Sequence, residues 1–228
     1  MSNPRRPPDP PTNALARALS YEQFVELVRA APPRLRLLIQ FLVATGLQSS
    51  EALALAWGDL NLENGQLHVR RALCNHQLVP LANQHRNRQL QLSPEGVRAL
   101  RRHHDHAPHA PSPNDLIFPN RKGGPLDRHH LYHQLNATGR RIGLPWVNLL
   151  TLRHTSVASM LQAGEPLSSI QAQLGHHSSA YTLATYKHLL TDHYHPNGAL
   201  KGAPPRHYPI IDPSIQFTAR RKPRQREA

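Results

Sequence analysis

The sequence predicts an α+β fold that is mainly α-helical and carries a small three-stranded antiparallel sheet. Apolar residues recur at helical spacing on both sides of a central stretch, which is typical of amphipathic helices. The central stretch, between about Leu67 and Leu92, alternates polar and apolar residues as half-buried strands do. The chain has 228 residues, of which 39% are hydrophobic and 22 are proline. These values indicate one modest core with irregular flanking segments.

Three helices are predicted before the sheet. Ser20 is a candidate N-cap for the first, with a glutamate at or near the third helical position as in a capping box, and Pro32-Pro33 ends that helix. The strongly apolar residues 35–44 form the second helix, which Thr45-Gly46 breaks. A third helix is predicted from Ser49 through Trp57.

The strands of the predicted sheet cover 66–69, 77–79 and 89–92, the first of them after an Asn-Gly turn. Helical texture follows in five further segments: 94–104, 127–141, 152–163, 167–174 and 180–190. We therefore divide the chain into a proline- and arginine-rich leader at 1–17, expected to be disordered, a domain at 18–190, and an irregular basic tail at 191–228.

The charge balance points to a polyanionic partner. Lys and Arg number 27 against 14 acidic residues, a formal net charge of +13, and the pI is about 11.0. Nucleic acid is the usual partner of such a chain. Arginine suits bidentate phosphate contacts, although an arginine, alanine and proline bias also follows from a GC-rich genome.

Several other classes of protein are disfavoured. No run of about 18 apolar residues appears, so no membrane span is expected, and the first residues lack the apolar core of a secretory signal. The single cysteine, Cys74, excludes an internal disulfide and favours a reducing compartment, hence a cytoplasmic protein. The histidines around 103–109 lack the regular spacing of zinc ligands, so we expect no metal and no cofactor.

Four segments in chain order resemble the boxes of the tyrosine recombinase, or phage integrase, family. They are Ala44–Leu55 with Trp57 and Asp59, the strands within 67–92, Leu152–Thr155, and Leu174–His176 followed by Thr182 and Thr185–His188. The resemblance covers roughly residues 18–190 and implies an integrase-like catalytic domain. It also implies that sites distant in sequence converge around one basic cleft.

The resemblance implies a covalent chemistry on DNA. In this family a tyrosine hydroxyl attacks a phosphodiester and forms a 3′-phosphotyrosyl link and a free 5′-hydroxyl. Two arginines clamp the oxygens that gain negative charge, and a lysine of the β-hairpin protonates the leaving oxygen. Tyr186 matches the nucleophile, Arg153 the second arginine and His176 one of the two histidines.

Half of the implied catalytic set is substituted. Gln48 stands where the first arginine belongs, and Leu150 where the histidine three residues before Arg153 belongs. The hairpin lysine falls on Ala82 or Asn83, and the chain has no lysine before Lys122. Loss of one charged stabiliser of a transition state costs on the order of 10²–10³ in rate. The sequence therefore predicts impaired catalysis.

Double-stranded DNA is the expected partner, and other recombinase subunits are possible ones. Arg86 and Arg88 near the hairpin and Arg220, Arg221 and Lys222 in the tail are candidate DNA contacts. Family members usually carry a helical DNA-binding domain before this one. Because only residues 1–17 precede the match, we expect that half of the DNA clamp is missing or is supplied by another protein.

Three functions remain open. The chain is a non-catalytic DNA-binding protein of a recombination system, an active recombinase that obtains the missing charge from a partner or from neighbouring groups, or a decayed remnant of a mobile element. The first and third both predict inactivity, and DNA binding separates them.

Overall fold

The computed structural model describes residues 18–81 and 83–191, with side chains up to Tyr186. The first helices follow the predicted signals closely. Helix α1 (Tyr21–Ala30) is capped by a Ser20–Gln23 capping box, and α2 (Pro33–Thr45) ends at Gly46 in the left-handed conformation that glycine adopts readily. These helices lie close to their predicted bounds because their start and stop signals are local.

The third helix is shorter than predicted. Helix α3 (Ser49–Ala52) stops well before Trp57, and only a 3-10 turn, Trp57–Asp59, follows. The chain between them is drawn into extended pairing, because Ile117 N donates to Leu55 O at 2.9 Å and Ala56 bridges Leu116. Tertiary pairing therefore overrides the helical propensity of this alanine- and leucine-rich segment.

The predicted class is confirmed, but the single three-stranded sheet is wrong. Four strands form two antiparallel pairs: β1 (Gln66–Val69) with β4 (Arg88–Gln91), and β2 (Arg71–Cys74) with β3 (Gln77–Pro80). Strand β2 is not predicted from the sequence, because consecutive residues in it are buried and the alternation is lost. Leu81 N donates to Arg70 O at 2.9 Å, so the β2–β3 hairpin continues from β1 across a bend.

Five helices complete the described fold: α4 (Pro94–Asp105), α5 (Arg128–Arg141), α6 (Leu149–Gln162), α7 (Leu167–Leu174) and α8 (Ser179–Thr191). Helix α6 begins at Leu149, earlier than the start at 152 that the sequence predicts. The reason is a strong N-cap: the Asn148 side chain accepts from the backbone of Leu150 and Thr151.

Helix α6 connects the two parts of the core. Its first half packs with α2 in the main apolar cluster, whereas Val157 and Ala158 belong to a smaller cluster with Ile170, Leu174 and Tyr186. This smaller cluster seats α7 and α8 against α6 and so fixes where the candidate nucleophile lies.

The leader at 1–17, Ala82 and the tail from 192, including Arg220, Arg221 and Lys222, lie outside the described residues. Within the part that is described, no helix has the length and apolar character needed to cross a membrane.

Candidate active site

Tyr186 lies on α8 and is buried, with 3% of its surface exposed. Its ring stacks on His176 at a centroid distance of 6.0 Å and meets the edge of His154 at 5.2 Å. Its hydroxyl is hydrogen-bonded with Arg153. Burial raises the pKa of Tyr186 and outweighs the opposing effect of the Arg153 charge, so the hydroxyl is protonated at neutral pH.

Arg153 on α6 links three segments of the site. Its Nη1 donates to Gly46 O, just past α2, and its Nη2 donates to Leu174 O at the end of α7. Nη2 also lies 3.1 Å from Nε2 of His176. The acceptors are carbonyls that helix ends leave unpaired, where a positive charge is stabilising. The buried guanidinium is thereby held next to Tyr186.

His176 is held as a neutral imidazole. Burial, followed by the charges of Arg153 and Arg88, lowers its pKa from 6.5 to about 4. Because arginine is only a donor, Nε2 must accept from Arg153 and the proton lies on Nδ1, which faces Thr182 Oγ1 at 2.9 Å. In this arrangement His176 positions Arg153 and Tyr186 and has no proton on Nε2 to give to a leaving group.

Glu51 on α3 anchors a second group of charges. Its carboxylate is fully buried and accepts from Arg88 Nη2 at 3.0 Å, from Arg86 Nη2 at 3.2 Å and from the backbone N–H of Gln48 at 3.2 Å. Burial alone would favour the neutral acid. The Arg88 charge and these hydrogen bonds together outweigh the effect of burial, so the pKa of Glu51 lies below its ordinary value.

The Glu51 group joins the Tyr186 group at the end of α7. Arg88 Nε donates to Gln173 O at 2.7 Å, and Arg153 donates to the next carbonyl, that of Leu174. Gly175 follows with a φ of +68°, and a Cβ there would lie 2.8 Å from Arg88 Nη1 and 3.0 Å from His85 O. The close approach of these elements therefore requires glycine.

Gln48 takes part in the Glu51 group through its side chain. Its Oε1 accepts from Arg86 Nη2 at 3.1 Å. Arg86 is directed there by a turn in which Asn83 O accepts from the backbone N–H groups of Arg86 and Asn87. Of the two candidate lysine positions, Asn83 thus begins this turn, and Ala82 is outside the described residues.

Leu150 lies on the first turn of α6, one turn before Arg153 and His154. It is 41% exposed and lines an open groove of about 570 Å³ with the β2–β3 hairpin tip and the start of α5. His154, one turn further along α6, is instead buried against Tyr186. Although both residues sit on one continuous helix, His154 does not occupy the position of the substituted histidine.

Two residues of the site were missed from the sequence. Glu51 and Thr182 both stand inside the motif segments, but nothing in the sequence indicated that Glu51 pairs with Arg86 and Arg88 or that Thr182 orients His176. Two of the clustered histidines, His103 and His104, are on α4 and pack against Trp57. Among the described residues, no group of three or more side chains suited to a metal ion is found.

Comparison with known proteins defines the class. The phage integrase family profile matches residues 17–193, and the chain belongs to that family. Among relatives, the tyrosine recombinase XerD of Corynebacterium glutamicum is 29% identical over 158 residues, which are 69% of this chain and 49% of that protein. XerC of Herpetosiphon aurantiacus is 30% identical over 188 residues, 78% of this chain and 58% of that protein. The chain therefore spans about half of the length of these relatives.

Solved structures agree with this assignment. The XerA recombinase has a TM-score of 0.63 at 24% identity and covers 84% of this chain and 67% of its own. The XerH site-specific recombinase, solved bound to its difH substrate before cleavage, has a TM-score of 0.56 at 26% identity, over 77% of this chain and 51% of its own. The fold is that of tyrosine recombinases.

Proposed function

We propose that this chain is a DNA-binding protein with a role in DNA recombination, and that its tyrosine recombinase site is catalytically impaired. The observation that supports this most strongly is Tyr186 packed against Arg153 and His176, with neutral Gln48 and Leu150 at two further positions of the family's catalytic set. The charge of +13 supports duplex DNA as the ligand. The similar XerH recombinase was solved bound to its difH substrate. Cytoplasmic location and partner recombinase subunits form part of this proposal.

The reaction that such a site supports is a transesterification. The Tyr186 oxygen bonds to phosphorus and releases its proton, the bond from phosphorus to the 5′-oxygen breaks, and that oxygen takes up a proton. Arg153 is placed to stabilise the added negative charge. His176 Nε2 accepts from Arg153, so it does not supply the proton in this arrangement. With Leu150 and no hairpin lysine, protonation of the leaving oxygen is the step that we expect to fail.

The first test is DNA binding. We expect a duplex affinity of roughly 10⁻⁴–10⁻⁶ M at physiological salt that falls steeply as salt rises, because each phosphate contact releases counterions. Truncation before Arg220 should weaken binding uniformly across sequences, since a basic tail contacts phosphates rather than bases. Fluorescence anisotropy measures both. Absence of binding at low salt would favour the decayed-remnant alternative.

The second test is covalent trapping on nicked DNA with randomised flanks. We expect negligible protein–DNA adduct from the unmodified chain. The triple change Gln48→Arg, Ala82→Lys and Leu150→His should raise the yield, and adding Tyr186→Phe should abolish it. Abundant adduct from the unmodified chain would instead support the active recombinase. Adduct that survives Tyr186→Phe would show that another residue is the nucleophile.

A further inference from the structure

Arg86 has hydrogen-bonding capacity that the described residues do not use. Its Nη2 is shared between Gln48 Oε1 and Glu51 Oε1. Its Nε is buried and has no hydrogen-bond partner among the described residues, and no partner for Nη1 is found in that part of the chain. The side chain is 36% exposed. A guanidinium with a buried, unpaired Nε and a solvent-facing portion is suited to donate to a phosphate.

The position of Arg86 matters more than its free donors. The resemblance places the first catalytic arginine at residue 48, where this chain has glutamine. The Arg86 guanidinium lies 3.1 Å from the end of that glutamine side chain. The positive charge of Arg86 therefore lies next to the position at which the substitution removed one. Arg86 belongs to the loop before β4, whereas Gln48 lies at the start of α3.

The same charge lies close to the rest of the site. Arg86 and Arg88 share the Glu51 carboxylate, and Arg88 and Arg153 donate to the consecutive carbonyls of Gln173 and Leu174. The Arg153 charge in turn acts on Glu51. One buried carboxylate against three arginines leaves net positive charge beside Tyr186, which favours a phosphate.

We propose that Arg86 is a phosphate-binding catalytic residue that replaces the arginine lost at position 48. On this view Arg86 and Arg153 each donate to a non-bridging oxygen of the scissile phosphate, and Glu51 and Gln48 hold Arg86 in place. The inference rests on the proposed function and deepens it. Arg86 and Arg153 together form an intact charge clamp on the phosphate, so the main remaining deficit is the proton for the 5′-oxygen.

The test uses a substrate that does not need that proton. In a nicked duplex library with randomised flanks and a 5′-bridging phosphorothiolate, Tyr186 attack breaks the bond from phosphorus to sulfur, and the sulfur leaves as a thiolate. We expect Tyr186-dependent adduct from the unmodified full chain. Arg86→Gln should lower its rate by about 10²–10³. The matched control is Arg98→Gln, because Arg98 also pairs with a glutamate but lies exposed on α4; it should leave the rate unchanged.

Two further measurements separate phosphate binding from a merely structural role. The exchange Gln48→Arg with Arg86→Gln should restore most of the rate, whereas Gln48→Arg alone should add little because the charge is already present. With a methylphosphonate in place of the charged phosphate, tested as both diastereomers, the difference between the unmodified chain and Arg86→Gln should shrink to a few-fold or less. Thermal unfolding checks that each variant is folded.

The possible failures are distinguishable. If Arg86→Gln leaves the adduct rate unchanged, or lowers it equally on charged and neutral substrates, the inference is overturned while DNA binding and the proposed function stand. If the unmodified chain gives no Tyr186-dependent adduct on the phosphorothiolate, the intact clamp is also overturned. If it additionally fails to bind duplex DNA at low salt, the proposed function itself is wrong.

Discussion

Two buried carboxylates in this protein each hold two arginines, and they serve different ends. Asp59 pairs with Arg70 and Arg71 and accepts from the backbone N–H of Ala56. All of these partners lie within a short stretch of chain. The two arginine partners of Glu51 come from the loop before β4 and from β4 itself, 35 and 37 residues away.

The Asp59 cluster (with Arg70 and Arg71) and the Glu51 cluster (with Arg86 and Arg88) differ in the elements that they contact. The Asp59 cluster caps a 3-10 turn and fastens it to the bend between β1 and β2. The Glu51 cluster touches the end of α7 and, through it, the segment that carries His176 and leads to Tyr186. A buried carboxylate that gathers distant arginines thus indicates convergence of a site, whereas one with local partners indicates a fold contact.

Loss of the Glu51 charge should have the largest effect on stability. Glu51→Gln leaves Arg88, with only 7% of its side chain exposed, without its buried counter-charge, and we expect a loss of about 3–5 kcal/mol in the free energy of unfolding. Asp59→Asn should cost about 1–2 kcal/mol less, because Arg70 and Arg71 are more exposed and regain hydration, and ion pairs with exposed partners contribute less. Urea unfolding of both variants measures the difference, and equal losses would contradict the distinction.

Crowding at the end of α7 should cause the next largest loss in the free energy of unfolding. Gly175→Ala combines a left-handed backbone with contacts to Arg88 and His85, and we expect a loss of about 2–4 kcal/mol. Gly143→Ala is the matched control, since Gly143 is also left-handed, at φ +77°, but a Cβ there meets nothing within 4 Å. It should cost about 1–2 kcal/mol. Equal costs would show that the Arg88 contact tolerates displacement.

The pH dependence of stability should reveal His176. Its pKa is lowered to about 4 in the folded protein, from 6.5, so between these values the unfolded chain binds more protons and stability falls as the pH falls. His176→Gln should flatten the urea midpoint across that window. The lowered pKa of Glu51 acts at lower pH, where its stabilising contribution is lost on acidification. An unchanged slope between pH 4 and 6.5 in His176→Gln would exclude a buried neutral imidazole.

The smallest expected effect is on non-specific DNA affinity. A phosphate contact by Arg86 contributes about −0.9 to the slope of log affinity against log salt. Arg86→Gln should remove that amount, whereas Arg70→Gln should leave the slope unchanged. Anisotropy titrations at several salt concentrations compare the two variants. If only Arg70→Gln lowered the salt dependence of affinity, the Asp59 cluster and not the Glu51 cluster would contact phosphate.

Elements with local signals in the sequence were predicted close to their observed bounds, whereas elements decided by tertiary contacts were not. Helix α7 was predicted at its observed bounds from its helical texture, and in the structure Pro166 and Gly175 flank it as local boundary residues. Strand β2 was missed because its burial does not alternate. The motif segments located Arg153, His176 and Tyr186, but a pairing such as Glu51 with Arg86 leaves no periodic trace, since each residue alone looks like an ordinary surface charge.

A crystal structure with tungstate, an anion shaped like the phosphate centre and visible by its anomalous scattering, tests the central claim most directly. The account predicts a tungstate whose oxygens accept from both Arg86 and Arg153, at about 2.7–2.9 Å, beside the Tyr186 hydroxyl. In Arg86→Gln that peak should be lost or much weaker. Tungstate bound at Arg70 and Arg71 instead, or beside Tyr186 without contact to Arg86, would contradict it.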